Sequence, residues 1–254
     1  MKKRSSGLDH DLIASHRREI QRLQRRLLLK GGFSMGALAL LSGCDLTNDN
    51  TVQKVLWGMS RFNDEVQAKL FNPSRLAPEY PESRITQPFP FNAFYSESEV
   101  PEVDGDTYKL ELLGLIRDKK PWTLGELALL PQVSQVTRHI CVEGWSAIGK
   151  WGGVRFSDFL QRIGADTSAK FVGFKCADDY HTSIDMATAL HPQTLLTLTF
   201  AGETLPAKYG YPMKLRMPTK LGFKNPKHIT AIYVTNIYPG GYWEDQGYNW
   251  FSGV

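Results

Sequence analysis

The chain has 254 residues, 42% hydrophobic and 22% charged, an ordinary globular balance with enough apolar mass for one good core. Its formal charge of +4 misleads, because residues 1–43 hold nine of the 30 basic residues and three of the 26 acidic ones. Beyond them 21 basic residues face 23 acidic ones, a net of −2 that excludes the broad basic surface of a nucleic-acid-binding protein.

The N-terminal segment reads as an export signal. Arg25-Arg26-Leu27-Leu28-Leu29-Lys30 is a twin arginine followed by apolar residues, and Gly31 to Leu41 carries no charge. With Leu27–Leu29 the apolar run is about 15 residues, short of the roughly 20 that a spanning helix needs. Leu41-Ser42-Gly43-Cys44 resembles a bacterial lipobox, in which the cysteine thiol takes a lipid. Twin-arginine export carries folded proteins, often with a cofactor already in place. The expected location is the periplasmic side of the inner membrane, anchored through Cys44, with Asp45 as a retention signal. The expected division is a signal over 1–43, a tether, helix and Pro-rich segment over 44–90, and one domain over 91–254.

Val52, Val55, Leu56, Met59, Phe62, Val66 and Leu70 recur at helical spacing, predicting a helix over Val52–Phe71 that buries one face. Five prolines between Asn72 and Pro90 predict an extended run. Phe91-Asn92-Ala93-Phe94-Tyr95-Ser96 follows, read from its composition alone as aromatic core packing. Tyr108–Ile116 alternates as a half-buried strand. Thr123 and Glu126 have the spacing of a capping box for a helix through Leu130.

Val133, Val136, Ile140 and Val142 predict a strand that places Thr137, His139, Cys141 and Glu143 on one face. After Gly144, Trp145, Gly149, Trp151, Gly152 and Gly153 predict a loop. A cysteine at a strand end beside such a loop sits where a backbone can approach a ligand, or else is a packing thiol. Further on, Ser157 is expected to cap a helix over Asp158–Ile163, and Lys170–Cys176 to form a strand. Ser183–Leu190 reads as a short helix, and Leu195–Phe200 and His228–Ile237 as strands. Many strands and short helices without a βαβ rhythm predict an α+β domain with mixed sheets. Cys141 and Cys176 allow one disulfide, which their spacing does not demand.

Lys208, Lys214, Arg216, Lys220, Lys224 and Lys227 lie in a stretch without an acid, interleaved with Gly and Pro. Turn backbone N–H groups with lysines make an anion site, or else the lysines are a solvated surface.

The stretch Arg138-His139-Ile140-Cys141-Val142-Glu143-Gly144-Trp145-Ser146 resembles the sulfite-oxidase superfamily of molybdopterin enzymes. The resemblance runs from about Phe91 to the C-terminus. It is nearest the exported bacterial branch, which includes the periplasmic methionine-sulfoxide reductases. It implies the sulfite-oxidase-type fold, a Mo-molybdopterin cofactor and Cys141 as the thiolate ligand of molybdenum. Trp145 stands where the animal and plant sulfite oxidases have the arginine that binds sulfite. The Asn-x-Phe-Tyr segment implies cofactor contacts from Asn92, Tyr95 and Ser96. Cys176 falls where the branch has a threonine near the pterin. Tyr209 and Lys214 fall in a segment with Asn or His and Arg at those places. Gly222-Phe223-Lys224-Asn225-Pro226-Lys227 matches the family pattern, implying Asn225, Pro226 and Lys227 around the terminal phosphate, with Lys224 beside them.

The implied activity is two-electron oxo transfer to or from a small substrate, with electrons exchanged with a membrane haem b partner. Protein-methionine-sulfoxide reduction is the alternative within enzymes. A cofactor-less lipoprotein that binds a ligand or scaffolds a membrane complex is the alternative outside them. His139 is a candidate donor beside the cysteine, and no residue is assigned as general acid or base.

Overall fold

The computed structural model describes residues 50–254, so the signal, Cys44 and most of the tether lie outside the described residues. Gly58–Val254 form one compact unit.

Ten strands make two five-stranded sheets. The first is ordered β2 (Trp122–Thr123), β1 (Lys109–Gly114), β10 (Ile229–Thr235), β5 (Phe171–Cys176), β6 (His181–Asp185). Its β1–β10 pair is parallel, with Leu112 opposite Ile232, and its other pairs are antiparallel. The second is ordered β3 (Gln132–Ile140), β4 (Ser146–Arg155), β7 (Leu195–Phe200), β8 (Glu203–Thr204), with β9 (Lys214–Arg216) also on β7. Alternation along β1 sends Leu110 and Leu112 inward, where Val172, Phe174, Ile232 and Val234 join Val154, Leu196 and Leu215 of the other sheet in one core. A smaller cluster of Phe89, Ala147, Trp151, Leu205 and Tyr209 also packs against β4. This is the expected α+β class with mixed sheets and short helices.

Helix α1 (Asn50–Leu70) has the expected span, but its apolar residues do not form a buried face. Met59, Phe62, Val66 and Leu70 are exposed. The side turned to the protein is polar: Asp64 Oδ1 accepts the Phe251 N–H at 2.9 Å, and Arg61 lies over the Tyr238 ring. Helix α2 (Leu124–Ala128) opens with the expected capping box, Thr123 N–H donating to Glu126 Oε2 at 2.8 Å and Glu126 N–H to Thr123 Oγ1 at 3.2 Å.

Three expectations are corrected. The Gly- and Trp-rich run is strand β4, paired with β3 from Ile140–Ser146 to Gln132–Val154. Its glycines mark close approach, since a Cβ on Gly153 would lie 1.9 Å from the Leu196 carbonyl oxygen, where the β4–β7 register shifts. Helix α3 (Phe156–Arg162) starts two residues earlier than expected, with Arg155 at its cap and Ser157 inside. Burial of Phe156, Phe159 and Leu160 sets that start, and no hydroxyl cap is made. Ser183 belongs to β6, opposite Gly173, and only Met186–Ala189 (α4) are helical, capped by Asp185 accepting the Thr188 N–H at 2.7 Å.

Candidate molybdopterin site

β3 ends at Ile140, and the chain turns back into β4 through Cys141–Trp145. Cys141 N–H donates to Trp145 O at 2.9 Å and Gly144 N–H to Cys141 O at 3.2 Å, with Gly144 at φ +92. The turn presents the Cys141 thiol to a cleft. Asn92, from the segment after the prolines, donates from Nδ2 to Sγ at 3.2 Å. The thiol reaches Glu143 Oε2 at 3.6 Å, and the same oxygen accepts the Trp145 indole N–H at 2.9 Å. Burial raises the thiol pKa, and the Glu143 charge adds to the rise while Asn92 opposes it. Cys141 and Cys176 are both free, so the disulfide left open by their spacing is not formed.

The other walls come from three places. The turn after β5 brings Asp178, whose Oδ2 accepts the Tyr95 hydroxyl at 2.9 Å. Burial and then that carboxylate hold the Tyr95 phenol above its usual range. The 222–227 turn brings Asn225, Pro226 and Lys227, and the C-terminal segment brings Trp243 and Tyr248. At the cleft wall Phe94 stacks on Tyr242, ring centroids 4.8 Å apart.

Around this cleft and beneath it lie buried cations that form no salt bridge. Lys214 is 5% exposed, Arg216 0% and Lys227 9%, and among the described residues none of them forms a salt bridge. Arg216 is held by neutral acceptors, Nη2 donating to Arg138 O at 2.6 Å and Nη1 to Asn225 Oδ1 at 3.2 Å, and its Nε finds none. Lys227 Nζ donates to Lys208 O at 3.1 Å. Burial pushes Arg216 down to about 9 and Lys227 down to about 8. Lys214 falls well below its usual value, through burial first and then the charges of Lys227 and Arg216. His139 is buried with both ring nitrogens unpartnered, and His228 Nε2 is unpartnered too. A Cβ on Gly222 would lie 2.6 Å from His139 Nε2, so the ring packs directly against the backbone of residue 222, which only glycine allows.

Buried charges are ordinarily paired, and an unpaired one costs several kcal/mol. Three together, with orphaned ring and guanidinium nitrogens nearby, would be balanced by an anion that also offers hydrogen-bonding edges. A phosphate-bearing pterin has that chemistry, and a soft thiolate beside it suits a metal already bound by sulfur.

The expected site residues divide accordingly. Asn92, Tyr95, Cys141, Asn225, Pro226 and Lys227 line the cleft together. Lys214 lies deeper, its Nζ over the Trp151 ring at 5.2 Å. Tyr209 packs in the smaller core, its hydroxyl donating to Phe89 O at 2.6 Å. Cys176 is buried in the main core at the end of β5. Ser96 is exposed in a capping box with Glu99, its N–H and hydroxyl both donating to Oε2. Lys224 does not turn to the phosphate place. It forms a fully buried ion pair with Glu244 and donates to Ser183 O at 2.6 Å. Sequence reasoning missed Glu143, Asp178 and Tyr180 as cleft walls. Their only signal was position, each one or two residues from a cysteine or from another site residue.

Residues 97–243 match the family model for the oxidoreductase molybdopterin binding domain. The chain belongs to this family. It is 67% identical, over 90% of its length and 87% of the relative's, to a protein of Azospira oryzae provisionally named protein-methionine-sulfoxide reductase subunit YedZ1. It is 32% identical over 54% of its length to the protein-methionine-sulfoxide reductase catalytic subunit MsrP of Xanthomonas campestris, and 28% over 58% to MsrP of Ralstonia nicotianae. The chain spans about half the length of these MsrP relatives, 49% and 50%. The fold is like that of the sulfane dehydrogenase SoxCD from Paracoccus pantotrophus, with a TM-score of 0.51 at 19% identity over 54% of this chain and 40% of that one. The protein is therefore a molybdopterin-binding oxidoreductase, and the reading of a cofactor-less ligand-binding or scaffolding protein is set aside.

Proposed function

We propose that this chain reduces neutral sulfoxides, protein-bound methionine sulfoxide among them, on the periplasmic side of the inner membrane. The observation that carries the reading is the charge of the cleft. Its only lining cation is Lys227, at the phosphate end, whereas Glu143 and Asp178 are carboxylates and Phe94, Tyr180, Phe223, Trp243 and Tyr248 are aromatic. Anions such as sulfite meet repulsion there. A neutral sulfoxide meets aromatic rings, which favour sulfur contacts. Trp145, in the place of a sulfite-binding arginine, fits the same reading. The names of the relatives support it further.

In this reading Cys141 ligates molybdenum, and Asn92 holds the sulfur by its N–H. Tyr95, Asn225 and Pro226 flank the pterin, and Lys214, Arg216 and Lys227 balance its phosphate. Cys176, Tyr209 and Ser96 lie outside the cleft lining and are given no role in it. The bound cofactor supplies two-electron oxo transfer. The sulfoxide takes up two electrons and two protons and leaves as thioether and water. Electrons come from a membrane haem b subunit, and the lipid on Cys44 keeps the chain beside it.

Enzyme purified from its own periplasm tests this. Methionine sulfoxide should be turned over with a reduced viologen dye as donor, while sulfite with an electron acceptor should not. Sulfite oxidation outrunning sulfoxide reduction overturns the reading.

A further inference from the structure

Helix α1 carries a second surface. At 100° per residue, Trp57, Ser60, Asp64, Gln67 and the following Phe71 fall on one side, and these are the partly shielded positions. Met59, Phe62, Val66 and Leu70 fall on the opposite side, at 60%, 65%, 38% and 80% exposure, and Val55 extends the stripe one turn earlier at 57%. An apolar stripe of four turns, aimed away from the core it should serve, is stabilised only by something outside this chain's domain.

We propose that α1 lies flat in the headgroup region of the bilayer, its Met59–Phe62–Val66–Leu70 stripe buried among acyl chains. Three observations select lipid over protein. First, α1 begins at Asn50, six residues after Cys44, a span that can reach at most about 20 Å and so keeps the helix near the membrane surface; this step rests on the reading of Cys44 as the lipid site. Second, exposed Lys54 and Lys69 flank the stripe on one side, where they meet anionic headgroups; exposed Glu65 lies between them, and Arg61, nearer the protein, stacks over Tyr238. Third, no helix of the described residues is long and apolar enough to cross a membrane, and α1 itself is amphipathic, as an interfacial helix must be. A lipid on Cys44 would hold the chain at the surface, and the stripe adds a second contact that fixes how the protein lies on it. The helix also fixes orientation, since Asp64 and Phe251 tie it to the C-terminal segment near the cleft walls.

The test uses the mature holoenzyme in vesicles of phosphatidylethanolamine and phosphatidylglycerol, 7:3, the lipids carrying a photoactivatable group in their acyl chains. Peptide mass spectrometry reads both Cys44 acylation and lipid adducts, so the two claims are scored separately. Adducts on Met59, Phe62, Val66 and Leu70 are expected. A Phe62→Gln/Val66→Gln variant should lose them and partition to vesicles at least about tenfold more weakly. It should keep wild-type turnover of a soluble sulfoxide with a dye donor. Acylated Cys44 without adducts on the stripe overturns the proposal and leaves the anchor standing. A stripe cross-linked to another protein, or buried between two copies in solution, overturns it as well.

Discussion

Asn92 donates its Nδ2 proton to Cys141 Sγ at 3.2 Å, joining a segment 49 residues upstream to the end of β3. A hydrogen bond to a thiolate draws charge from the sulfur and fixes its direction, which tunes a bound metal. Asn92→Ala should retain molybdenum and the fold but lose about 10- to 100-fold in turnover, the worth of one bond to a charged group. Wild-type turnover with an unchanged thiolate absorption band would remove Asn92 from the site.

Cys141→Ser exchanges a soft sulfur for a hard oxygen of similar size, so the protein should fold and still bind part of its pterin. Turnover and the sulfur-to-metal absorption should vanish. Cys176→Ser, in the core beside Tyr108 and away from the cleft lining, should keep most activity. Equal losses in the two variants would mean that Cys141 has no special role.

Lys214 offers a test in which stability and function move in opposite directions. Lys214→Met removes a buried cation that no carboxylate balances, so the cofactor-free protein should melt at a higher temperature. The same variant should be purified with less molybdopterin. A lower melting temperature together with full cofactor would refute the anion-cavity account.

Lys224 should behave the other way. Lys224→Met leaves Glu244 buried and unpaired, costing about 3 to 5 kcal/mol with or without cofactor. Comparison of the Lys224 and Lys227 variants in cofactor-free form separates the structural lysine from the binding one.

Lys227 adds a pH dependence of defined sign. Its folded pKa is down to about 8 against the usual 10.5, so between those values the unfolded chain holds a proton that the folded one has lost. Stability of the cofactor-free protein attributable to this residue therefore rises with pH through that window, and below about 8 the penalty is complete. Lys227→Met should stabilise the cofactor-free protein at pH 7 and do so far less by pH 10, the difference vanishing only above the unfolded value of 10.5. Taking the difference between variant and wild type cancels the contributions of other groups, the two raised cysteine thiols included. With phosphate bound, the lysine is held charged, and the window should close.

The sequence made most of the cleft legible because its residues sit in short contiguous runs: 91–95, 138–146 and 222–227. Turns of that kind keep neighbours in sequence neighbours in space. Lys224 escaped this logic, since one residue in a turn points inward and its neighbours outward, and only Glu244, twenty residues on, decides which. Strand β4 was hidden because glycine opposes strand propensity, and the close backbone approach that demands it is tertiary. The Asp178–Tyr95 pair spans 83 residues, a distance no local pattern reports. The exposed stripe of α1 had the periodicity of a buried one, and periodicity alone does not name the solvent.

Parallel pairing of β1 with β10 sets an order of events during synthesis. Residue 109 leaves the ribosome well before residue 229, and until then β1 has no neighbour but the two residues of β2. The first sheet is closed by a strand that begins 120 residues after the start of the one it pairs with, residue 229 against residue 109, so its slow step is a long-range search and not a local one. The segments 91–95 and 222–227, which line one cleft, are likewise far apart in the chain, so a cofactor would be enclosed between them only once both had been made and brought together.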